Sequence, residues 1–385
     1  MRGPRLIGRV SSARPHVLLV TPPATPPWHS GSTLLARHLA AHASDFHYRL
    51  LGIRDQMAPG PFSEVEPLFG SGPKGGIRDQ AKVFARLLKP DACALHHFVF
   101  SPHSKAVAAI RAALTLSRKA SIHTMPSQPR EDLELRRLVF AERTVVMSDA
   151  SALRLRSAGV EEVEVIRPGV PLVPEAADTM ASRARLEISC PDLGWGDAPV
   201  FVYAGDLEFS DGARIFIEAA ERVHQVHPEV HFVLACRPKT PSALLVAQGL
   251  EGRVRRLGLS DRVRFLGVVD DMAALLGAAT SVVLPVDTLY AKVDIPFVLL
   301  EAMALGTPVV VSDVPSLSEL AGLGLGARVV PKSDPDKLAE TLIHLAESPS
   351  TLSRLGRGAR HTIASHFQIE TMVASYEALY RELCD

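Results

Sequence analysis

The sequence predicts an α/β protein built from two Rossmann-like domains, each a doubly wound parallel sheet, facing one another across a cleft. Three observations carry this reading. Short apolar runs bounded by turn residues alternate with stretches of helical period from His16 onward and again from Pro199 onward, and such strand–helix alternation closes into a parallel sheet flanked by helices. Between the two series, over 171–199, the periodicity weakens and Pro, Asp and Gly become frequent, which marks a domain boundary. Residues 290–312, YAKVDIPFVLLEAMALGTPVVVS, first show helical spacing at Phe297, Leu300, Met303 and Ala304. Across Gly306-Thr307-Pro308 they change to the β-branched run Val309, Val310, Val311, a short helix feeding a buried strand.

Composition is consistent with two such domains. A chain of 385 residues accommodates two to three domains of about 150 residues and buries large cores. Lys+Arg and Asp+Glu both number 42, so no net charge advertises a polyanionic partner and nucleic-acid binding is disfavoured. Cys93, Cys190, Cys236 and Cys384 lie far apart without a CxxC pair, against zinc ribbons and disulfide frameworks and in favour of a reducing cytoplasm. No apolar run approaches the ~18 residues of a membrane helix, and the basic start MRGPRLIGRVSSARP lacks a signal-peptide core. A soluble, cytoplasmic chain is expected, with peripheral membrane association left open.

In chain order, a loose basic leader over 1–14 precedes HVLLVTPP, a buried parallel strand ending at Pro22-Pro23. The loop ATPPWHSGS then enters a helix over 33–43, so Gly31 and Ser32 fall at the carboxyl edge of a strand and at a helix N-terminus. Open α/β sheets bind ligands there; an ordinary turn with Ser32 as N-cap is the alternative. Residues 62–76, FSEVEPLFGSGPKGG, read as a surface loop. A helix over 77–88, the strand ACALHHFVFS and a helix over 104–116 follow. His96, His97 and His103 raise the question of a metal, but adjacent strand histidines face opposite ways and no helical His pair completes a site, so none is expected. SIHTMPS is a further strand containing His123, and the segment LVFAERTVVMSDASALRLRSAGVEEVEVIRPGVPL reads as strand, Ser-capped helix, Gly C-cap, strand and turn.

The second series runs from PVFVYAGD through a helix over 213–227, VHFVLAC, a helix over 241–257, RVRFLG, a short helix near 272–278 and TSVVLPV. Asp294 and Pro296 then stand where a helix begins, which aims its positive end at the loop after Leu284. Glu301 interrupts an otherwise apolar face. It requires a partner or a ligand, because an unpaired interior carboxylate costs several kcal/mol. The last helix, over 369–383, carries the stripe Met372, Tyr376, Leu379 and Tyr380. The expected units are the leader 1–14, an N-terminal domain 15–172, a linker 173–198, a C-terminal domain 199–368, and the helix 369–385 added to the first domain.

The words EAMALGTPVV resemble the donor-binding segment of the retaining, nucleotide-sugar-dependent glycosyltransferases of the GT-B class, family four, also called glycosyl transferases group 1. The resemblance extends from about His16 to the C-terminus. It implies that Glu301 holds the nucleotide ribose, that loop and helix amides meet the diphosphate-sugar, and that Asp294, Ile295, Pro296, Phe297 and Val298 are donor-binding positions. It places Gly31 and Ser32 in a reduced glycine-rich loop, puts Gly205, Gly267 and Val268 among the donor contacts, and sets His123 beside the donor sugar. For His123 the alternative is packing at a strand end. The last helix is expected to cross back onto the first domain. The nucleoside diphosphate sugar is a substrate, a glycan or lipid-linked hydroxyl is the acceptor, and neither cofactor nor metal is implied.

Two departures from the family pattern stand out. Where its members carry a Gly-Arg and a Lys-Gly step that grip the diphosphate, this chain has Gly205-Asp206 and Asp211-Gly212, and an acid beside a diphosphate repels it. Arg237, Lys239 and Lys292 are the nearest substitute cations, with solvated loop charges as the alternative and Arg237 as a partner for Asp206. Val293 breaks the family's paired glutamates; Asp294 either takes over their sugar contacts or caps the helix. The activity implied is sugar transfer in polysaccharide or glycoconjugate biosynthesis. A catalytically weakened nucleotide-sugar or glycan-binding protein is the rival, and a GT-B-fold sugar epimerase the lesser one. Asp336 is read as a cap within Asp334-Pro-Asp336, not as a metal ligand.

Overall fold

The computed structural model of the chain describes residues 14–24, 30–53, 60–69, 77–90, 93–102, 104–127, 134–191, 193–238, 240–290 and 292–384. The first sheet comprises β1 (His16–Ala24), β2 (His47–Ile53), β3 (Glu64–Phe69), β4 (Cys93–Val99), β5 (Ala120–Met125), β6 (Arg143–Val146) and β7 (Val163–Val165), ordered β3-β2-β1-β4-β5-β6-β7. Around it lie α1 (Gly31–Ala41), α2 (Ile77–Leu87), α3 (Ser104–Ser117) and α4 (Asp149–Ser157). α5 (Thr179–Ser189) follows, then the second sheet of β8 (Val200–Tyr203), β9 (His231–Leu234), β10 (Val263–Phe265), β11 (Ser281–Leu284), β12 (Val309–Ser312) and β13 (Ala327–Val330), ordered β10-β9-β8-β11-β12-β13. Its helices are α6 (Gly212–Val226), α7 (Pro241–Arg256), α8 (Met272–Ala278), α9 (Phe297–Ala304), α10 (Pro315–Gly322), α11 (Pro335–Glu347) and α12 (Pro349–His366), and α13 (Ile369–Cys384) ends the chain.

Every strand pairing is parallel, as a sheet covered by helices on both faces requires. The period of two along β1 sends Val17 and Leu19 to one face and Leu18 and Val20 to the other. The first pair belongs to an apolar cluster that continues through α1, α13 and the linker into the whole second domain. Strand order reverses between β1 and β4 and between β8 and β11. At such switch points the carboxyl ends of the strands open a crevice, and here the two crevices face each other.

The expected crossing of the last helix is observed in detail. Tyr380 Oη lies 2.7 Å from His97 Nδ1, while Thr124 Oγ1 lies 2.8 Å from His97 Nε2 and 3.0 Å from Tyr376 Oη. The Glu377 carboxylate accepts the Ser44 and Asp45 amides at 2.9 Å each. The outgoing and returning chains touch, since Val170 N donates to Phe367 O at 2.9 Å and a Cβ on Gly169 would lie 2.5 Å from Ile369 Cα.

Some expectations need correction. The stretch over 62–76 is not all loop, because β3 pairs with β2 along the sheet edge, the place that tolerates Pro67. The N-cap of α1 is Ser30, whose Oγ accepts Thr33 N at 3.3 Å, so Ser32 sits inside the first turn. α11 is capped by Asp334 and not Asp336, with Lys337 N at 2.9 Å. The span 173–198 contains α5, which packs on α8 and belongs with the second domain. His103 and the leader 1–13 lie outside the described residues.

Candidate donor site between the domains

The two domains meet where the N-termini of α1 and α9 converge. A Cβ added at Gly31 would lie 1.8 Å from Val293 Cγ2, so only glycine permits this approach of the α1 start to the segment leading into α9. Asp294 N donates to Pro126 O at 2.7 Å. Its fully buried carboxylate accepts the Ser148 hydroxyl, the N-cap of α4. Asp294 therefore does not cap α9; Pro296 occupies the N-cap position without a side-chain bond. A second carboxylate from the same domain, Glu319, accepts Ala150 N at 3.0 Å and pairs with Arg167 at 3.2 Å. Two acids of the second domain thus dock on the N-terminus of one helix of the first, where the helix dipole favours negative charge.

α9 is apolar almost throughout, with Phe297, Leu299, Leu300, Ala302, Met303 and Ala304 buried. Ile295 is also buried, while Pro296 and Val298 are half-buried. Glu301 is the only charged residue of the helix. Its carboxyl has neither a hydrogen bond nor an ion pair among the described residues, and burial pushes its pKa up to about 7. A carboxyl held in that condition is a polar group awaiting a partner.

Asp206 pairs with Lys292, not with Arg237. The pair is enclosed, with side-chain exposures of 14% and 10%. Burial alone would raise the Asp206 pKa, but the Lys292 ammonium and the Phe209 and Glu208 amides outweigh it and hold the carboxyl below its ordinary value. The other acid on the clamp positions, Asp211, binds Arg214 at 2.7 Å, and its own amide donates to Asp287 Oδ1 at 2.8 Å. One amide at the N-terminus of α6 is thereby bonded to a carboxylate. Gly205 lies over the Tyr203 ring, where a Cβ would come within 2.5 Å of the hydroxyl.

Other candidates are more peripheral. Arg237 is exposed, and Lys239 lies outside the described residues. Gly267 takes φ +64° in a loop after β10, next to exposed Val268. His123 is fully buried, with Nε2 3.0 Å from Phe100 O and its ring stacked on Phe140 at 4.4 Å. Burial lowers its pKa to about 4, so it is neutral at pH 7. The structure thus encloses His123 among aromatic rings, with its Nδ1 buried and without a hydrogen-bond partner among the described residues. Among the described residues no group of three or more His, Cys, Asp or Glu is arranged to hold a metal, and no helix is long and apolar enough to cross a membrane. A cavity of about 390 Å³ lined by Arg183, Asp197, Gly277, Leu305 and Thr307 opens beside Pro199, Thr280 and Pro308, at the amino ends of the strands and away from the crevice.

Sequence reasoning missed Ser148, Glu319 and Asp287 as members of this region. Ser148 was legible only as a helix cap. Glu319 and Asp287 carry no local signal, because their partners are 169 and 76 residues away in the chain.

The fold is that of the GT-B glycosyltransferases, and the model of the glycosyl transferases group 1 family matches residues 198–348, within the second domain. Among curated relatives, an MMP α-(1→4)-mannosyltransferase of Mycolicibacterium hassiacum is 34% identical over 157 residues, 40% of this chain and 35% of the relative. A D-inositol 3-phosphate glycosyltransferase of Streptomyces bingchenggensis is 29% identical over 252 residues, 63% of this chain and 53% of the relative. The chain spans about half or less of the length of these relatives. Among solved structures, Anabaena Alr3699/HepE in complex with UDP-glucose superposes with a TM-score of 0.77 at 20% identity, covering 96% of this chain and all of that one. The sucrose-phosphate synthase of Thermosynechococcus elongatus gives 0.78 at 21% identity, with coverage of 96% and 99%.

Proposed function

We propose that the chain is a retaining glycosyltransferase that moves a hexose-like unit from a nucleoside diphosphate sugar to a hydroxyl of a glycan or lipid-linked acceptor, in cytoplasmic polysaccharide or glycoconjugate biosynthesis. The observation that carries this is Glu301, a half-buried carboxyl without a partner among the described residues, on the helix that carries the matched segment. Its carboxylate receives the ribose hydroxyls. The diphosphate lies against the free N-terminus of α9, with the α1 start opposite and Lys292 beside it. The UDP-glucose complex of the Anabaena protein supports a donor of this class on this fold.

The chemistry follows from that arrangement. As the glycosidic C–O bond breaks, negative charge gathers on the leaving diphosphate, where helix amides and an ammonium stabilise it without a metal. The acceptor oxygen attacks the same face and its proton passes to the departing phosphate oxygen. Retention follows from that same-face path.

Two observations favour a weakened binding protein instead. Val293 rests directly on Gly31, and the N-cap amide of α6 is already bonded to Asp287. The two readings are separated by incubating the chain with a panel of UDP-, GDP- and ADP-sugars and an acceptor mixture. Release of nucleoside diphosphate well above that of a heat-killed control supports the transferase. Binding without release supports the rival.

A further inference from the structure

We propose that Asp206 is a positioning residue for Lys292, holding its ammonium where the donor diphosphate is received; this rests on the reading of the site as a nucleoside diphosphate sugar site. An acid at that place repels a diphosphate if it acts alone. Its surroundings give it another part.

Asp206 is fixed independently of the lysine. Its Oδ1 accepts Glu208 N at 2.9 Å and Phe209 N at 2.5 Å, Ser210 Oγ reaches Oδ2 at 3.3 Å, and the Tyr203 hydroxyl donates to its carbonyl at 2.7 Å. The carboxylate is therefore a post set by the β8–α6 loop. Lys292 reaches that post from the loop before α9.

The lysine is incompletely satisfied. Its side chain is nine-tenths buried, and beyond the ion pair its Nζ has no hydrogen-bond partner among the described residues. An ammonium carries three N–H donors, and enclosed donors left unmatched are costly. Removing the carboxylate would leave a buried charge uncompensated and without a fixed place. With it, the ammonium is paired and held in place, and presents its remaining donors to an incoming anion.

The neighbouring helix ends show which anion position is open. At the α6 N-terminus the N-cap amide of Asp211 is bonded to the Asp287 carboxylate, an acid that opposes an anion there. The α9 N-terminus has no side-chain cap, and Lys292 stands four residues before its N-cap Pro296. The geometry thus assigns one lysine, steadied by one acid, to the diphosphate.

Calorimetry with UDP and UMP, GDP and GMP, and ADP and AMP reads this directly, as the preference for the diphosphate over the monophosphate of the same base. The wild type is expected to show that preference with one base, and Lys292→Ala to lose at least tenfold of it. Asp206→Asn is expected to lose at least fivefold with monophosphate affinity unchanged, and the double variant to fall no further than Lys292→Ala alone. Full preference in Asp206→Asn, a raised one, additive losses in the double variant, or equal losses for both ligands would overturn the positioning role. Asp206→Glu keeps the charge and moves it by one methylene; it should fold where Asn does not, and an undiminished preference there overturns the role as well. A wild type without the preference for any base would overturn the reading of the site itself.

Discussion

Glu301, half-buried, and His123, fully buried, are two titratable residues with opposite consequences. Glu301 titrates near 7 in the folded chain against 4.5 as its ordinary value, so on raising the pH the unfolded chain gives up this proton first. Stability from the protonated form is complete below pH 4.5 and is lost as pH rises to about 7, by about 3 kcal/mol in the ligand-free chain. Glu301→Gln should abolish that slope in urea unfolding, and nucleotide affinity in the wild type should rise with pH through 7, since ribose hydroxyls bond best to the ionised form. A pH-independent affinity would show that Glu301 does not meet the nucleotide. For His123, held near 4 by burial between aromatic rings, the structure leads us to expect that His123→Ala lowers the melting temperature along with turnover. A turnover loss at unchanged melting temperature would return the residue to the reaction.

At the scale of elements, legibility followed the strength of local signals. α9 and β12 were readable because a helical period passes into a β-branched run across Gly306-Thr307-Pro308, and β1, β4, α4 and α13 carry equally plain patterns or caps. β3 was not, because an edge strand pairs on one side only and its burial hardly alternates. The candidate site was half legible. Glu301 and Lys292 stand in a recognisable segment, whereas the pairing of Asp206 with Lys292 joins residues far apart in the chain within the second domain and the acids docking on α4 make contacts between domains, and no local pattern encodes either. α13 offers a test of how firmly such a long-range element is held. Tyr380→Phe strips the hydroxyl from buried His97 Nδ1, and leaving that atom unmatched should cost about 1–3 kcal/mol in chemical denaturation. A neutral substitution would mean that apolar packing alone seats the helix.

The whole molecule is two switch-point crevices pressed together, with one apolar core continuing through the crossing segments. Where the second domain meets α4 the seam is held by polar contacts, Asp294 to Ser148 and Glu319 to Ala150 N and Arg167, and polar contacts are cheaper to exchange for water than a buried apolar surface. Glu319→Ala should therefore open the domains, seen as a larger radius of gyration in small-angle scattering; unchanged scattering would mean that the Gly31–Val293 contact and the crossings suffice. Acid should weaken the fold as a whole, because His38, His97 and His123 are held near 4, 3 and 4 by burial and the unfolded chain binds their protons first as pH falls below 6.5. The central claim is that α9, Glu301 and Lys292 receive a nucleoside diphosphate sugar. Titration calorimetry of UDP, GDP and ADP against the wild type and Glu301→Ala, above pH 7, tests it most directly. We predict that one of the three binds the wild type and that the variant binds it at least tenfold more weakly, about 1.4 kcal/mol, with its fold intact by circular dichroism. Equal affinity in the two proteins, or no binding of any of the three to the wild type, would contradict the account.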